Sequence, residues 1–358
     1  MKIGILTFHC AHNYGAVLQC YATQEFLRSK GHDVEIINYR PKYLLQPYLL
    51  FNIRRIISRN PILMLKKVIK EILTFHIRYK RWKGFEKFIN NRLILSECVE
   101  KTSIQSKYDI YIVGSDQIWN NRITNGDDTY FCKFPFEKGC KKYISYAASM
   151  EATTLDKNAL YKNLLNDFDA ISVREKNIQN LLTPYTNLPI QHVLDPTLMV
   201  SPKIWDSLPS KSDNKDKYVV VYQVAENPNT IRIAEHIAEQ IGAKVKILVA
   251  WIGKSSSIKF QDATPEDFVD TIRNAACVVT TSFHGTAFSI IFNKPFYTIK
   301  LNAGWDTRSE SLLKSISLEE RLIGIDDTPI FSAIDYSDVN IKLEELRQES
   351  QNFLLNNL

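Results

Sequence analysis

The sequence predicts an α/β protein with two doubly wound parallel sheets, one in each half of the chain. Three observations carry that expectation. Short apolar runs alternate with helical stretches throughout, the pattern of parallel strands joined by crossover helices. The chain has 358 residues, more than the roughly 250–300 that one hydrophobic core serves. The polar stretch SKSDNKDK, residues 210–217, separates two such alternating series. A composition of 45% hydrophobic and 23% charged residues excludes a disordered or collagen-like chain.

The elements follow in order. Residues 2–8 (KIGILTF) read as a strand, and 13–31 as a helix with Asn13 near its start and Gly31 just past its end. Residues 33–39 (DVEIINY) are the second strand. After a basic helical region, 108–115 (YDIYIVGS) is a buried strand ending in a polar loop with Asp116 and Trp119. Strands at 142–149, 169–175 and 191–195 close the first series. In the second, 217–224, 244–250 and 277–282 are strands, with helical stretches starting at Asn229, Thr264 and His284. A last helix, from about Asn340, can pack on either half. The expected division is two Rossmann-like domains, 1–205 (with a basic insertion at 50–92) and 206–340, then a helix at 341–358. Ligands of such sheets bind beyond the carboxyl ends of the strands.

Charge is unevenly placed. The net value is +6, yet residues 53–92 hold twelve Lys and Arg against Glu71 and Glu86, so this stretch carries +10 and the remainder −4. Apolar residues interleave at helical spacing. Such a region can lie against anionic lipid head groups, at about 1 kcal/mol per basic residue. The alternative is a helix pair packed on its own domain with a solvated charged face. Nucleic acid is not an expected partner, because no nucleic-acid module accompanies the charge.

Six cysteines lie far apart with no CxxC pair, which suits neither zinc nor a disulfide framework and fits a reducing cytosol. The first fifteen residues read as a strand rather than a signal peptide. No apolar stretch approaches the ~18 residues of a membrane span. A cytoplasmic protein is expected, in reach of the inner membrane face if the basic region docks there.

Four stretches can carry chemistry. In 277–296 (CVVTTSFHGTAFSIIFNKPF) a strand ends in Thr280, Thr281 and Ser282, and His284 with Gly285 opens a helix whose N–H groups favour an anion. His284 there suits proton donation; a capping role is the alternative. In DAISVRE, Arg174 follows directly on a strand and can grip a carboxylate or phosphate through paired hydrogen bonds. It can equally bridge to Glu175 or Asp195, and Asp195 itself reads as structural. In HCAHNYGA, His9, Cys10 and His12 lack a fourth ligand, so no metal is expected. Asn13 and Gly15 fit a tight turn that lets backbone approach a ligand. In GSDQIWN, Asp116 can be a general base and Trp119 a platform for a sugar ring, structural roles standing beside both. Walker, GxGxxG and GxSxG signatures are absent, so ATP hydrolysis, dehydrogenation and serine hydrolysis lose weight.

Six of these segments, in order, are NYGAVLQ, IVGSDQIWN, ISYAASM, AISVREKN, VLDPTL and TSFHGTAFS followed by NKPF. Together they resemble the polysaccharide pyruvyl transferase family. The resemblance implies two domains facing each other in a glycosyltransferase B-like arrangement, acceptor side first and donor side second. It implies transfer of the enolpyruvyl unit of phosphoenolpyruvate to sugar hydroxyls, forming a pyruvate ketal on a capsular or exopolysaccharide precursor carried on undecaprenyl diphosphate. By motif, Arg174 matches a family arginine that binds the donor, and His284 the histidine proposed to protonate it. The family often has arginine where Ser282 stands here; Arg308 and then Lys294 are the candidate replacements. No cofactor is implied beyond phosphoenolpyruvate as co-substrate. A nucleotide-sugar glycosyltransferase of the same fold and a non-catalytic glycan-binding protein remain open alternatives.

Overall fold

The computed structural model describes residues 1–52, 56–150, 154–155, 158–210, 216–224, 227–250, 262–301 and 306–358. Arg54, Arg55 and most of the polar stretch at 210–217 lie outside the described residues.

Two all-parallel sheets form. The first holds β1 (Lys2–Leu6), β2 (Asp33–Tyr39), β3 (Leu95–Val99), β4 (Ile110–Val113), β5 (Lys142–Ala148), β6 (Ala170–Val173) and β7 (Ile190–His192). Its order is β3-β2-β1-β4-β5-β6-β7, with Ile3 opposite Val34 on one side and Ile110 on the other. The second holds β8 (Tyr218–Gln223), β9 (Lys244–Val249), β10 (Cys277–Thr280), β11 (Phe296–Lys300) and β12 (Leu322–Gly324), in the order β12-β11-β10-β8-β9. Strand β8, YVVVYQ, is buried at all six positions, as a parallel strand covered on both faces must be. Each sheet reverses its winding once, between β1 and β4 and between β8 and β10, and a crevice opens at such a switch point.

The expected strands form, β2 over the expected residues and most of the others shorter at one or both ends. Three strands escaped the sequence reading: β3, where Glu97 and Cys98 are exposed at the sheet edge, the three-residue β12, and β11. Among the described residues of the basic region, 61–92 form one long helix, α2 (Pro61–Arg92), following α1 (Tyr14–Ser29). Asn60 caps α2 by accepting from the amides of Ile62 and Leu63, and Pro61 occupies its first position.

An apolar seam joins the two halves. Tyr14 of α1 stacks on Phe268 of α3 (Pro265–Arg273) at 4.7 Å, and Trp205 meets Phe288 edge-on at 4.9 Å. The second half of α2 crosses this seam. Arg81 donates to Tyr14 Oη and to the carbonyls of Val249 and Ala250, while Arg92 pairs with Glu266 at 2.9 Å. The last helix, α5 (Ser337–Asn357), returns to the first half: Arg347 donates to the Leu198 carbonyl, and Ser350 Oγ accepts from the Leu194 amide. Among the described residues, no helix is long and apolar enough to cross a membrane.

Candidate active site between the sheets

The carboxyl ends of the two sheets meet around His284. This residue sits in the first turn of α4 (Phe283–Ile291), which starts where β10 ends, with Ser282 at the N-cap. Gly285 lets that turn lie against β10, because a Cβ there would fall 2.2 Å from Thr280 Oγ1. The imidazole reaches the other half. Its Nε2 stands 3.7 Å from Asp195 Oδ2 and has no hydrogen-bond partner, although it is buried. Its other edge covers Gly15, where a Cβ would lie 1.9 Å from His284 Nδ1. Only a glycine permits this approach. Gly15→Ala should push the ring aside, lower stability by roughly 1–3 kcal/mol and cut turnover about 100-fold. Thermal unfolding and initial rates check it; wild-type rates in a stable Gly15→Ala variant would refute the contact.

Asp195 is the hinge of the arrangement. Its Oδ1 accepts from the amide and hydroxyl of Thr197, capping the short DPTL turn, while Oδ2 accepts from Arg174 Nη1 at 2.7 Å. Burial opposes its charge, but His284 and then the Arg174 guanidinium outweigh that and hold its carboxyl far below the ordinary carboxylate range. One oxygen of Asp195 caps the turn, as expected of a structural residue, and the other faces His284 and Arg174.

Arg174 is buried and well committed. Besides Asp195 it donates from Nε to Glu175 Oε1 at 3.2 Å and from Nη2 to Ser149 Oγ at 2.9 Å, and its face stacks on Phe283 at 4.5 Å. Ser149 donates in turn to Glu175 at 2.6 Å. Burial pushes the Glu175 carboxyl up, against the pull of Arg174, Ser149 and the more distant Arg308. Arg308 lies half-buried in the first turn of the helix Thr307–Ser315, so it joins the edge of this cluster. Asp116 contributes from the loop after β4: its Oδ1 is 3.9 Å from Arg174 Nη2, and its carbonyl accepts from the amide of Ser149. The structure thus gathers His284, Ser282, Gly285, Gly15, Arg174, Asp116 and Arg308 around one junction, and adds Asp195, Ser149 and Glu175.

Two expected site residues fall elsewhere. Trp119 is core, not a sugar platform: it stacks on Phe131 at 5.0 Å and donates Nε1–H to the Tyr130 carbonyl. Lys294 precedes β11 and so stands at the amino end of the sheet, opposite the crevice, where its carbonyl accepts from Tyr336. Asn13 caps α1 beside Gly15, its Oδ1 accepting from the Ala16 amide at 3.3 Å.

The two histidines of the first loop turn to separate partners. His12 Nε2 meets Glu86 at 2.9 Å, and His9 Nε2 meets Asn38 Oδ1 at 3.0 Å. Burial lowers the His9 pKa to about 4. Its unfolded value is near 6.5, so the folded state alone stays neutral between these limits, and stability falls as pH drops from about 6.5 to 4. The loss should approach roughly 3 kcal/mol at the acid end. His9→Asn should flatten that part of a plot of unfolding free energy against pH; an unchanged slope would refute it.

At the junction of the two sheets, His284 Nε2 thus faces the buried Asp195 without a hydrogen bond, with Arg174 beside it and Arg308 at the edge of the cluster. The chain belongs to the polysaccharide pyruvyl transferase family, whose profile matches residues 13–302. Its chemistry is therefore that of a transferase acting with pyruvyl groups on polysaccharide. No curated protein matches the chain. Among solved structures, a putative UDP-N-acetylglucosamine 2-epimerase from Listeria monocytogenes is similar at 10% identity, covering 100% of this chain and 91% of its own, with a TM-score of 0.45. The UDP-GlcNAc 2-epimerase of Methanocaldococcus jannaschii gives 12% identity, 96% and 92% coverage and a TM-score of 0.42. MurG of Acinetobacter baumannii gives 8%, 99%, 94% and 0.36.

Proposed function

We propose that the protein transfers pyruvate from phosphoenolpyruvate to a pair of hydroxyls on a glycan precursor, forming a ketal and releasing phosphate. The observation that carries the reading is the His284 imidazole, buried with Nε2 unpartnered, held between Gly15 and Asp195 where the two sheets meet. Phosphoenolpyruvate carries close to three negative charges and needs several cations or oriented N–H groups. The first turn of α4, Arg308 and the edge of the Arg174 cluster supply them.

Protonated His284 delivers its proton to the methylene carbon, and C2 becomes electrophilic. One acceptor hydroxyl adds there, its proton passing to Asp116. Phosphate leaves with the C2–O bonding pair, and the second hydroxyl closes the ketal. Of the two hydroxyl protons, one balances that placed on carbon and the other departs with phosphate. Asp195 orients the ring and pairs with it while it carries the proton. No metal enters these steps, and a lipid-linked precursor at the inner membrane face is the acceptor we favour.

The test is incubation with phosphoenolpyruvate and a galactose-containing lipid-linked glycan. Inorganic phosphate should appear together with a product heavier by one pyruvate ketal. No phosphate across a broad acceptor panel would overturn the assignment.

A further inference from the structure

The two halves of α2 differ. From Arg78 onward Arg78, Arg81, Phe85, Phe88 and Ile89 are buried in the body of the protein. Before it, Ile62, Leu65, Ile72 and Leu73 are 67%, 61%, 69% and 74% exposed, and Ile69 joins them. At 100° per residue these five, which include the four most exposed large apolar residues of the helix, fall in one stripe about 100° wide, while Leu63, Met64 and Phe75, exposed no more than Ile69, lie on other faces. The helix has 32 residues, about 48 Å, so this half projects well clear of the seam. Exposed Lys66 and Lys70 border the stripe, and Lys83 and Lys87 continue its line toward the body. The acidic residues of α2 face elsewhere: Glu71 pairs with Arg78, and Glu86 with His12.

We propose that the first half of α2 is a foot that seats on an anionic lipid surface, apolar stripe in the acyl boundary and lysines among the head groups. Physical chemistry favours lipid over protein as the occupant. Protein interfaces are depleted in lysine, whereas an apolar stripe flanked by lysines is the composition that partitions to charged bilayers. The second half of the same helix carries Arg81 and Glu86 into the seam beside the crevice, so a seated foot would hold the crevice near the membrane. The inference rests on the proposed function for its purpose, presenting a lipid-linked acceptor, but lipid binding itself needs no catalysis.

The experiment is flotation of the full chain with phosphatidylglycerol and with phosphatidylcholine vesicles, at low and high salt. The protein should float with the anionic vesicles, stay behind with the neutral ones and lose most binding at high salt. Lys66→Glu with Lys70→Glu should weaken binding roughly tenfold or more, and Ile69→Gln with Leu73→Gln should weaken it even at low salt. Both variants should keep the wild-type melting temperature and release phosphate from phosphoenolpyruvate with a detergent-solubilised acceptor at the wild-type rate. Equal binding to neutral vesicles, or none to either, overturns the proposal. So does a concentration-dependent dimer in sedimentation that Leu73→Gln dissolves, which assigns the stripe to a second copy. A catalytic failure with intact flotation would instead count against the proposed function alone.

Discussion

His284→Ala should abolish phosphate release from phosphoenolpyruvate, with a fall in turnover of about 100- to 10,000-fold, the usual worth of a positioned acid. Its imidazole lines the junction from the C-terminal half, while the arginines beside it come from other elements, so phosphoenolpyruvate affinity should fall far less than the rate. Removing the ring breaks no hydrogen bond of Nε2, and one flank rests on a glycine. The variant should therefore fold. Initial rates alongside an equilibrium measurement of phosphoenolpyruvate binding separate the two effects. Near-normal turnover in the His284→Ala variant would mean that another group supplies the proton.

Arg174→Ala should act first on the fold. Three of its N–H groups hold Asp195, Glu175 and Ser149, and both carboxylates are fully buried. Removing one partner of a buried ion pair costs about 3–5 kcal/mol, because the other is left unneutralised in a dry site. Here one guanidinium serves two carboxylates. Arg174→Lys keeps the charge but not the planar fork and should recover only part of the loss. Urea unfolding measures both. If Arg174→Ala unfolds like the wild type and merely raises KM for phosphoenolpyruvate, the arginine is a donor ligand in the sense the family resemblance implies, and the buried network is incidental.

The two predictions show what sequence alone could and could not reveal. Strands such as β8 and β10 were legible because an unbroken apolar run can be satisfied only in the middle of a covered sheet. The turn before His284 was legible because hydroxyl residues directly follow a buried strand, although the Thr280 and Thr281 hydroxyls bond to backbone. What escaped was whatever depends on the second half of the chain meeting the first. Gly15 announced a close approach without saying to what; its partner is His284, far along the sequence. Asp195 looked like a turn residue because DPTL is a good capping sequence, and capping uses only one carboxylate oxygen. Trp119 and Lys294 misled for the opposite reason. An aromatic in a polar loop and a lysine near a motif look available until the fold stacks one on Phe131 and sends the other to the far end of β11.

In the proposed reaction, His284 places a proton on the methylene carbon of the donor. Running the reaction in D2O and examining the product by mass spectrometry and NMR reads that step directly. The wild type should yield a ketal whose methyl group carries one deuterium, and the His284→Ala variant essentially none of this product. A product that retains its methylene as an enolpyruvyl ether, or deuterated ketal formed by the His284→Ala variant at the wild-type rate, would contradict it.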